Sequence, residues 1–180
     1  HSLILSTVTA AIAVIIGMFM AYGVRLGRGP LVSGAARFAS MGYAVPGAVL
    51  AIGVIIPMAA LDNALDSFSR EVFGVSLGLL LSGTVFAVIY GYLARFTALS
   101  FGTLESSLTK ITPSMDGASR SLGRGALATL RHVHLPLIRG SVLMAAMLVF
   151  VDCMKELPMT VILRPFNFHT LATYVHQFAS

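Results

Sequence analysis

Long apolar runs separated by short polar segments form the dominant pattern along the 180 residues. Three runs, 2–24, 38–61 and 72–94, contain no Asp, Glu, Lys or Arg. A helix needs about 20 residues to cross the hydrocarbon core of a bilayer, so each run is long enough to span it. A fourth run, 137–157, spans only if it accommodates three charged side chains. The pattern predicts an all-α, polytopic membrane helix bundle with about four full spans.

Composition supports the same class of protein. Hydrophobic residues make up 57% of the chain and charged residues 11%, values outside the usual range of a soluble domain. Cys153 is the only cysteine, which excludes an internal disulfide. Lipid is therefore the expected surrounding of most of the chain.

Basic residues concentrate in two of the predicted connections. Those between spans one and two and between spans three and four carry Arg25, Arg28, Arg37, Arg95, Lys110, Arg120, Arg124, Arg131 and Arg139. The connection between spans two and three instead holds Asp62, Asp66, Glu71 and a single Arg70. The positive-inside rule predicts that the two basic connections are cytoplasmic. Anionic membrane lipid and an acidic partner surface account for the net charge of +5, so no nucleic-acid partner is expected.

The segment 112–136 lies in the more basic of these two connections and reads as two short helices. Thr112-Pro113-Ser114 indicates a helix start, with Thr112 or Ser114 as the cap, and Asp116 falls in the first turn, where a carboxylate interacts favourably with the helix dipole. Gly123 is expected to end this helix, and a second one runs from Gly125 to His132. The small residues Gly117, Ala118 and Ser119 are expected on the leading face of this segment, where they would let another protein approach the backbone closely. An ordinary amphipathic surface loop is the alternative.

The same segment resembles the coupling loop of ATP-binding-cassette (ABC) importer permeases, written E-A-A-x-x-x-G-x(9)-I-x-L-P. Both spacings and the Leu-Pro pair match, while a glycine replaces the family's glutamate. The seven fixed positions are occupied by Gly117, Ala118, Ser119, Gly123, Val133, Leu135 and Pro136. The resemblance implies a loop that receives force from an ATPase. No G-x-x-x-x-G-K-[ST] sequence occurs in the chain, so ATP hydrolysis is assigned to a partner and the chain is expected not to be an enzyme.

The last third is similar to a narrower group, the ferric-iron importer permeases. The matching stretch runs from Phe150-Val-Asp152-Cys-Met-Lys155-Glu156-Leu-Pro158-Met-Thr160 to Leu163-Arg-Pro-Phe-Asn-Phe-His-Thr-Leu-Ala172. Proteins of this group carry two permease modules in one chain, and this sequence resembles the second. We therefore expect residues 1–180 to form a single transmembrane permease domain, a piece of a longer chain that ends before the module's last span.

These resemblances imply a MetI-like ABC importer permease fold with short cytoplasmic coupling helices and an outer amphipathic helix. They imply a multi-pass location in a bacterial inner membrane and ferric iron as cargo, without a catalytic residue or a cofactor. The implied partners are a cytoplasmic ABC ATPase dimer, an extracytoplasmic solute-binding protein, and a second permease module in the same chain or a dimer mate. The implied coupling residues are Asp116, Gly117, Ala118, Ser119, Gly123, Leu135 and Pro136.

Three charged residues near the end of the fourth run are candidates for the translocation pathway. Asp152 and Glu156 are four residues apart and would share one helix face, and Lys155 would neutralise part of their charge. The alternative is a structural ion pair that locks span four to a neighbouring helix. Other solutes (thiamine, phosphonate, sulfate or polyamine), a secondary transporter, and a membrane-embedded enzyme using the two carboxylates stay open as alternative functions.

Overall fold

The computed structural model describes residues 1–27 and 29–179, and this part of the chain is helical with no strand. Arg28, which the charge pattern assigns to the first cytoplasmic connection, and Ser180 lie outside the described residues. The helices are α1 Ser2–Leu26, α2 Pro30–Ala39, α3 Gly47–Phe73, α4 Val85–Thr109, α5 Pro113–Ser121, α6 Ala126–Leu137, α7 Arg139–Lys155, α8 Pro158–Leu163 and α9 Leu171–Ala179. A 3₁₀ turn, Ser40–Ala44, follows α2.

Three of these helices, α1, α3 and α4, are long and apolar enough to cross a membrane. A fourth crossing results if α6 and α7, which meet at an angle of 80°, are counted as one broken span. The predicted all-helical membrane bundle is therefore confirmed, but the bounds of its spans differ from those predicted.

The second span begins nine residues later than the charge-free run 38–61 indicates. Pro46 precedes the first residue of α3, and the residues before it form α2 and the 3₁₀ turn. The helix then continues past Asp62 and Asp66, because both carboxylates bind backbone and side-chain donors of the following connection. The acidic residues assigned to an outer loop thus lie in the last part of α3.

The third span is also displaced, from the predicted 72–94 to Val85–Thr109. Residues 75–84 are apolar but not helical, since Gly74, Gly78 and Gly83 adopt the left-handed conformation with φ near +67°. Arg95, assigned above to a cytoplasmic connection, instead lies near the middle of α4. The absence of charge in a run was therefore a poor guide to the ends of these helices.

The fourth run is not one continuous helix. α6 contains a wide π-helical stretch, Leu130–His134, and the chain bends at Ile138 before α7 begins. α7 ends at Lys155, and Pro158 starts the short helix α8. The predicted span 137–157 is thus shortened to the 17 residues of α7.

The core lies where α1, α4 and α7 pack against one another. Gly17 of α1 lies against the backbone of Ser100 and Phe101 in α4, so a larger side chain there would collide with that backbone. The Ser100 hydroxyl donates a 2.7 Å hydrogen bond to the carbonyl of Ala13. Small residues and interhelical hydrogen bonding thus hold α1 and α4 together, as is common in membrane bundles.

Candidate coupling and translocation sites

The segment 112–136 folds into a compact pair of helices at the end of the bundle, which we call the knob. α5 starts at Pro113 and ends at Ser121, Gly123 turns the chain with φ +77°, and α6 begins at Ala126. This is the predicted arrangement of two short helices joined at a glycine. The second helix extends further than predicted, to Leu137, and carries Leu135 and the exposed Pro136.

Asp116 faces the bundle and links the knob to α1. Its Oδ2 atom accepts hydrogen bonds from Nη2 and Nε of Arg25, at 2.7 and 3.1 Å. Its Oδ1 atom lies 2.7 Å from Nε2 of His134, whose side chain is fully buried. The contact with His134 has ion-pair distance but not hydrogen-bond geometry. The Asp116 carboxylate, which precedes the glycine at the glutamate position of the importer pattern, is thus occupied by contacts within this chain.

Arg25 also closes the end of α4. Its guanidinium donates to the carbonyl of Leu108 and, at 3.0 Å, to the carbonyl of Ile111. These carbonyls lie at or just beyond the end of α4, where the regular helical N–H partners run out, and that of Leu108 also accepts a 3.2 Å bond from the N–H of Ile111. One side chain therefore joins the end of α1, the end of α4 and the first turn of α5.

Two further hydrogen bonds hold the knob, one between its two helices and one to α1. The hydroxyls of Ser119 and Thr129 lie 2.8 Å apart, and Tyr22 of α1 donates a 2.7 Å bond to the carbonyl of Ala126. Ser119 is buried, so its expected place on the leading face beside Ala118 was wrong. The spacing of small residues predicted the helix but not the direction in which the serine points.

The exposed surface of the knob includes small and apolar residues beside its arginines. Gly117 and Ala118 are exposed, and a Cβ atom added at Gly117 would have no neighbour within 4 Å. Leu122 and Leu127 are 78% and 69% exposed on either side of Gly123. The sequence analysis did not identify these two leucines as candidate contact residues. The signal that could have found them is the presence of apolar residues on both sides of a turn glycine. All four residues are thus accessible to another protein.

Glu156 lies at the end of α7, in extended conformation with φ −71° and ψ 110°. It is therefore outside the helix that carries Asp152, and the two carboxylates do not share the predicted helix face. Instead, Oε1 of Glu156 lies 3.8 Å from Nη1 of Arg95 and accepts a 3.3 Å bond from the backbone N–H of Met159. A Cβ added at Gly47, the first residue of α3, would collide with both charged groups.

Arg95 is the residue of this region that the sequence reasoning misplaced. Its guanidinium carbon lies 5.9 Å from the ring centre of Tyr43 and 5.8 Å from that of Phe96. Its buried Nε and Nη1 atoms have no hydrogen-bond partner among the described residues. Ion pairing with Glu156 and contact with two rings thus replace hydrogen bonds here.

At the break after α7, nearby hydroxyl groups supply hydrogen bonds to a backbone carbonyl that has left the helix. The carbonyl of Glu156 accepts a 2.6 Å hydrogen bond from the Thr160 hydroxyl and a longer one, 3.4 Å, from the Tyr92 hydroxyl. The hydroxyls of Tyr92 and Thr160 also bind each other. Non-helical backbone inside a membrane bundle needs such partners, because lipid provides none.

Asp152 and Lys155 form a separate pair at the surface of α7. Nζ of Lys155 lies 2.9 Å from Oδ1 of Asp152, and Tyr43 donates a 3.3 Å hydrogen bond to Oδ2. The predicted neutralisation of Asp152 by Lys155 is therefore present. The pair borders an open groove along α7 whose other lining residues are apolar: Gly140, Leu143, Met144, Met147, Leu148 and Val151.

No group of three or more His, Cys, Asp or Glu side chains that could hold a metal ion occurs within residues 1–27 and 29–179. The charged groups near the break form two ion pairs, Arg95 with Glu156 and Lys155 with Asp152. Each of the carboxylates Asp152 and Glu156 therefore has a basic partner within the described part of the chain.

The fold and these sites define a multi-pass helical membrane protein with a compact knob at one end and a charged break within the bundle. The sequence is 28% identical over 138 residues to the Fe(3+)-transport system permease protein FbpB 2 of Haemophilus influenzae, covering 77% of this chain and 24% of that protein. It is 30% identical over 93 residues to the putative 2-aminoethylphosphonate transport system permease protein PhnV of Salmonella paratyphi A, covering 52% of this chain and 35% of that protein. No known family profile matches the sequence.

Both relatives are permease proteins of transport systems, so the predicted resemblance to importer permeases is confirmed. The matched part of the chain spans about a quarter of the first relative and about a third of the second. The similarity therefore concerns one portion of each protein.

Proposed function

We propose that the chain is part of the permease of a binding-protein-dependent ABC importer, and that the knob is its docking site for a cytoplasmic ATPase dimer. The observation that carries this proposal is the link of Asp116 to Arg25, because it joins an exposed docking surface to the transmembrane helices. The similarity to two transport-system permeases supports the same role.

The knob has the properties needed to transmit force. Arg25 and Asp116 connect α5 to the ends of α1 and α4, and the π-helical stretch connects it to α7. A displacement of α5 would therefore move α1 and α4 with it, since these contacts are short and buried from most of the solvent. The exposed Leu122 and Leu127 provide the apolar contact area for a groove on the ATPase.

We further propose that Asp152 and Lys155 line the solute pathway, whereas Glu156 and Arg95 hold the broken helix in place. Asp152 and Lys155 border the groove along α7, and the side chain of Lys155 is 68% exposed. Glu156 is held by Arg95 and by the N–H of Met159, with little room left for a solute. The remaining wall of the pathway would come from a second permease module, and an extracytoplasmic solute-binding protein would deliver the solute.

Ferric iron is the solute that we propose first. The stretch from Phe150 to Ala172 resembles ferric-iron permeases, and the more extensive of the two matches is to an Fe(3+)-transport permease. Carboxylate oxygen is a suitable ligand for a hard trivalent cation, which favours Asp152 as a transient contact. The match to PhnV supports a phosphonate as the second candidate.

Reconstitution of the full-length permease with its ATPase and solute-binding protein tests these proposals. We expect the permease to co-purify with the ATPase. In proteoliposomes made from bacterial inner-membrane lipids, we expect ATP-dependent uptake of ⁵⁵Fe³⁺. Uptake of 2-aminoethylphosphonate but not iron would replace the proposed solute. Uptake by the permease without any ATPase would contradict the importer proposal and favour a secondary transporter.

The Asp152→Asn variant tests the proposed pathway. We expect the complex to assemble normally and the uptake rate to fall, because the carboxylate is at the groove and holds no other helix except through Tyr43. Glu105→Gln on α4, which does not line the groove, is the matched control. Normal uptake by Asp152→Asn would remove this residue from the pathway.

A further inference from the structure

The connection between α3 and α4, residues 74–84, is an apolar loop whose backbone is held by two carboxylates of α3. Asp62 is buried and accepts hydrogen bonds from the N–H groups of Leu80, Leu81 and Ser82, at 3.2, 2.9 and 2.7 Å. The Ser82 hydroxyl adds a fourth bond of 2.6 Å. One side of the loop is thus fixed to a single side chain.

Asp66, one helical turn further along α3, fixes the other side of the loop. It accepts hydrogen bonds from the N–H groups of Leu77 and Gly78, at 2.8 and 3.1 Å, and from the Ser76 hydroxyl at 2.8 Å. Arg70 pairs with its second oxygen at 2.6 Å. Together the two carboxylates satisfy five backbone N–H groups that no secondary structure would satisfy.

Most of the apolar side chains of this loop are exposed, whereas Ser82 is buried and Leu81 packs against the core. Leu79 is 64% exposed, and the same exposed surface includes Phe68, Val72, Phe73, Val75, Leu77 and Leu80. Water would satisfy the N–H groups of an ordinary exposed loop without any help from carboxylates. In lipid, every backbone polar group must find a partner within the protein. The combination of apolar side chains outside and satisfied N–H groups inside therefore fits a lipid surrounding.

The position of the loop in the bundle agrees with the edge of a membrane. α4 has 25 residues, which corresponds to about 37 Å at 1.5 Å per residue, compared with a hydrocarbon core of about 30 Å. The first turn of α4 thus lies at the membrane interface, and Ser82 is three residues before it. The exposed face continues onto Val85 and Phe86 of α4, which would contact lipid as part of a spanning helix.

We propose that residues 74–84 and the last turns of α3 insert into the outer leaflet of the membrane, at the boundary between headgroups and acyl chains. Leu77, Leu79 and Leu80 contact acyl chains, and the exposed Arg70 reaches the phosphate groups of the lipid. Asp62 and Asp66 are positioning residues that lower the free-energy cost of this insertion, because they satisfy backbone N–H groups that lipid cannot. The proposal does not depend on which solute is transported.

Tryptophan fluorescence of the full-length permease in nanodiscs tests the insertion. The sequence contains no tryptophan, so Leu79→Trp adds a probe whose signal is the difference from the parent protein. We expect blue-shifted emission and quenching by lipids brominated at shallow acyl positions, to an extent similar to Phe19→Trp on the exposed face of α1. Leu122→Trp, measured without the ATPase, provides the reference for a probe in water.

Quenching of Leu79→Trp by aqueous iodide as strong as that of Leu122→Trp, with no effect of brominated lipid, would overturn the proposal. Protection of the probe only after addition of the solute-binding protein would also overturn it and assign the surface to a protein partner.

Hydrogen exchange tests the role of the carboxylates. We expect Asp62→Asn to accelerate exchange of the Leu80–Ser82 amides by about tenfold or more, since hydrogen bonds to a charged acceptor are stronger than neutral ones. Glu71→Gln, an exposed carboxylate on the same end of α3, should leave exchange unchanged. Equal exchange in the two variants would contradict the positioning role, and the fluorescence test stands even if Asp62→Asn does not fold.

Discussion

The knob and the break after α7 each contain a carboxylate facing an arginine from another helix, but the two pairs differ in geometry. Arg25 donates two hydrogen bonds to Asp116, the shorter at 2.7 Å, and two more to carbonyls at the end of α4. Arg95 lies 3.8 Å from Glu156, and two of its buried nitrogen atoms have no hydrogen-bond partner in the described part of the chain. The first pair is saturated with hydrogen bonds and the second is not.

This difference indicates different mechanical roles. Hydrogen bonds that involve charged groups are shorter and stronger than neutral ones, so the contacts of Arg25 favour a rigid connection between the knob and α1. A longer ion pair between Arg95 and Glu156, at a break between two helices, opposes relative motion less strongly. We expect force to enter through a stiff element and to produce movement where the contacts are looser.

Arg25→Ala should have the largest effect. It removes the guanidinium that donates to Asp116 and to the carbonyls of Leu108 and Ile111, and removing one member of a largely buried pair costs about 3 kcal/mol of unfolding free energy. Thermal unfolding of the purified permease, together with co-purification of the ATPase, measures the result. Arg37→Ala, an exposed arginine on α2, is the matched control. Equal unfolding temperatures for the two variants would show that the Arg25 contacts are not structurally important.

Glu156→Gln should cost less, about 2 kcal/mol. Glutamine can still accept the hydrogen bond from Met159, but Arg95 becomes a buried charge without a counter-charge. Chemical unfolding of Glu156→Gln and of the double variant with Arg95→Gln measures the coupling between the two residues. A larger loss than for Arg25→Ala would reverse the comparison and make the break the stiffer region.

Gly123→Val should reduce stability by about 1–2 kcal/mol and lower transport, because valine is strained at φ +77°. Membrane insertion should stay normal, since the turn lies outside the spanning helices. Gly125→Val is the matched control, with φ −72° and no atom within 4 Å of the added Cβ. ATP-dependent uptake by both variants separates backbone strain from the loss of a small residue. Wild-type uptake by Gly123→Val would contradict the role of the knob.

Gly117→Glu should have the smallest effect, within about 0.5 kcal/mol. The position is exposed and has space for a side chain, and the substitution restores the residue of the importer pattern. Co-purification with the ATPase should be unchanged or improved. Loss of assembly would instead show that the glycine itself contacts the partner.

Local chemistry made much of the knob predictable from the sequence. Pro113 at a helix start, Asp116 in the first turn and Gly123 at a helix end act through backbone geometry within a few residues, so their roles could be recognised without the fold. The burial of Ser119 was not predictable in this way. It depends on Thr129 of the facing helix, and no pattern within α5 indicates that contact.

The sequence by itself determined that the chain is an apolar helix bundle with a two-helix segment of permease type, because composition and short-range spacing carry that information. Only the tertiary structure decided where the helices end and which charges meet. Asp62 does not terminate α3, since a loop 18 to 20 residues away supplies its hydrogen-bond donors. Arg95 does not terminate α4, since Glu156 lies beside it although 61 residues separate them in sequence. A count of charges treats every ionised group as a barrier to burial, whereas the cost of burying one depends on partners that only folding brings within reach.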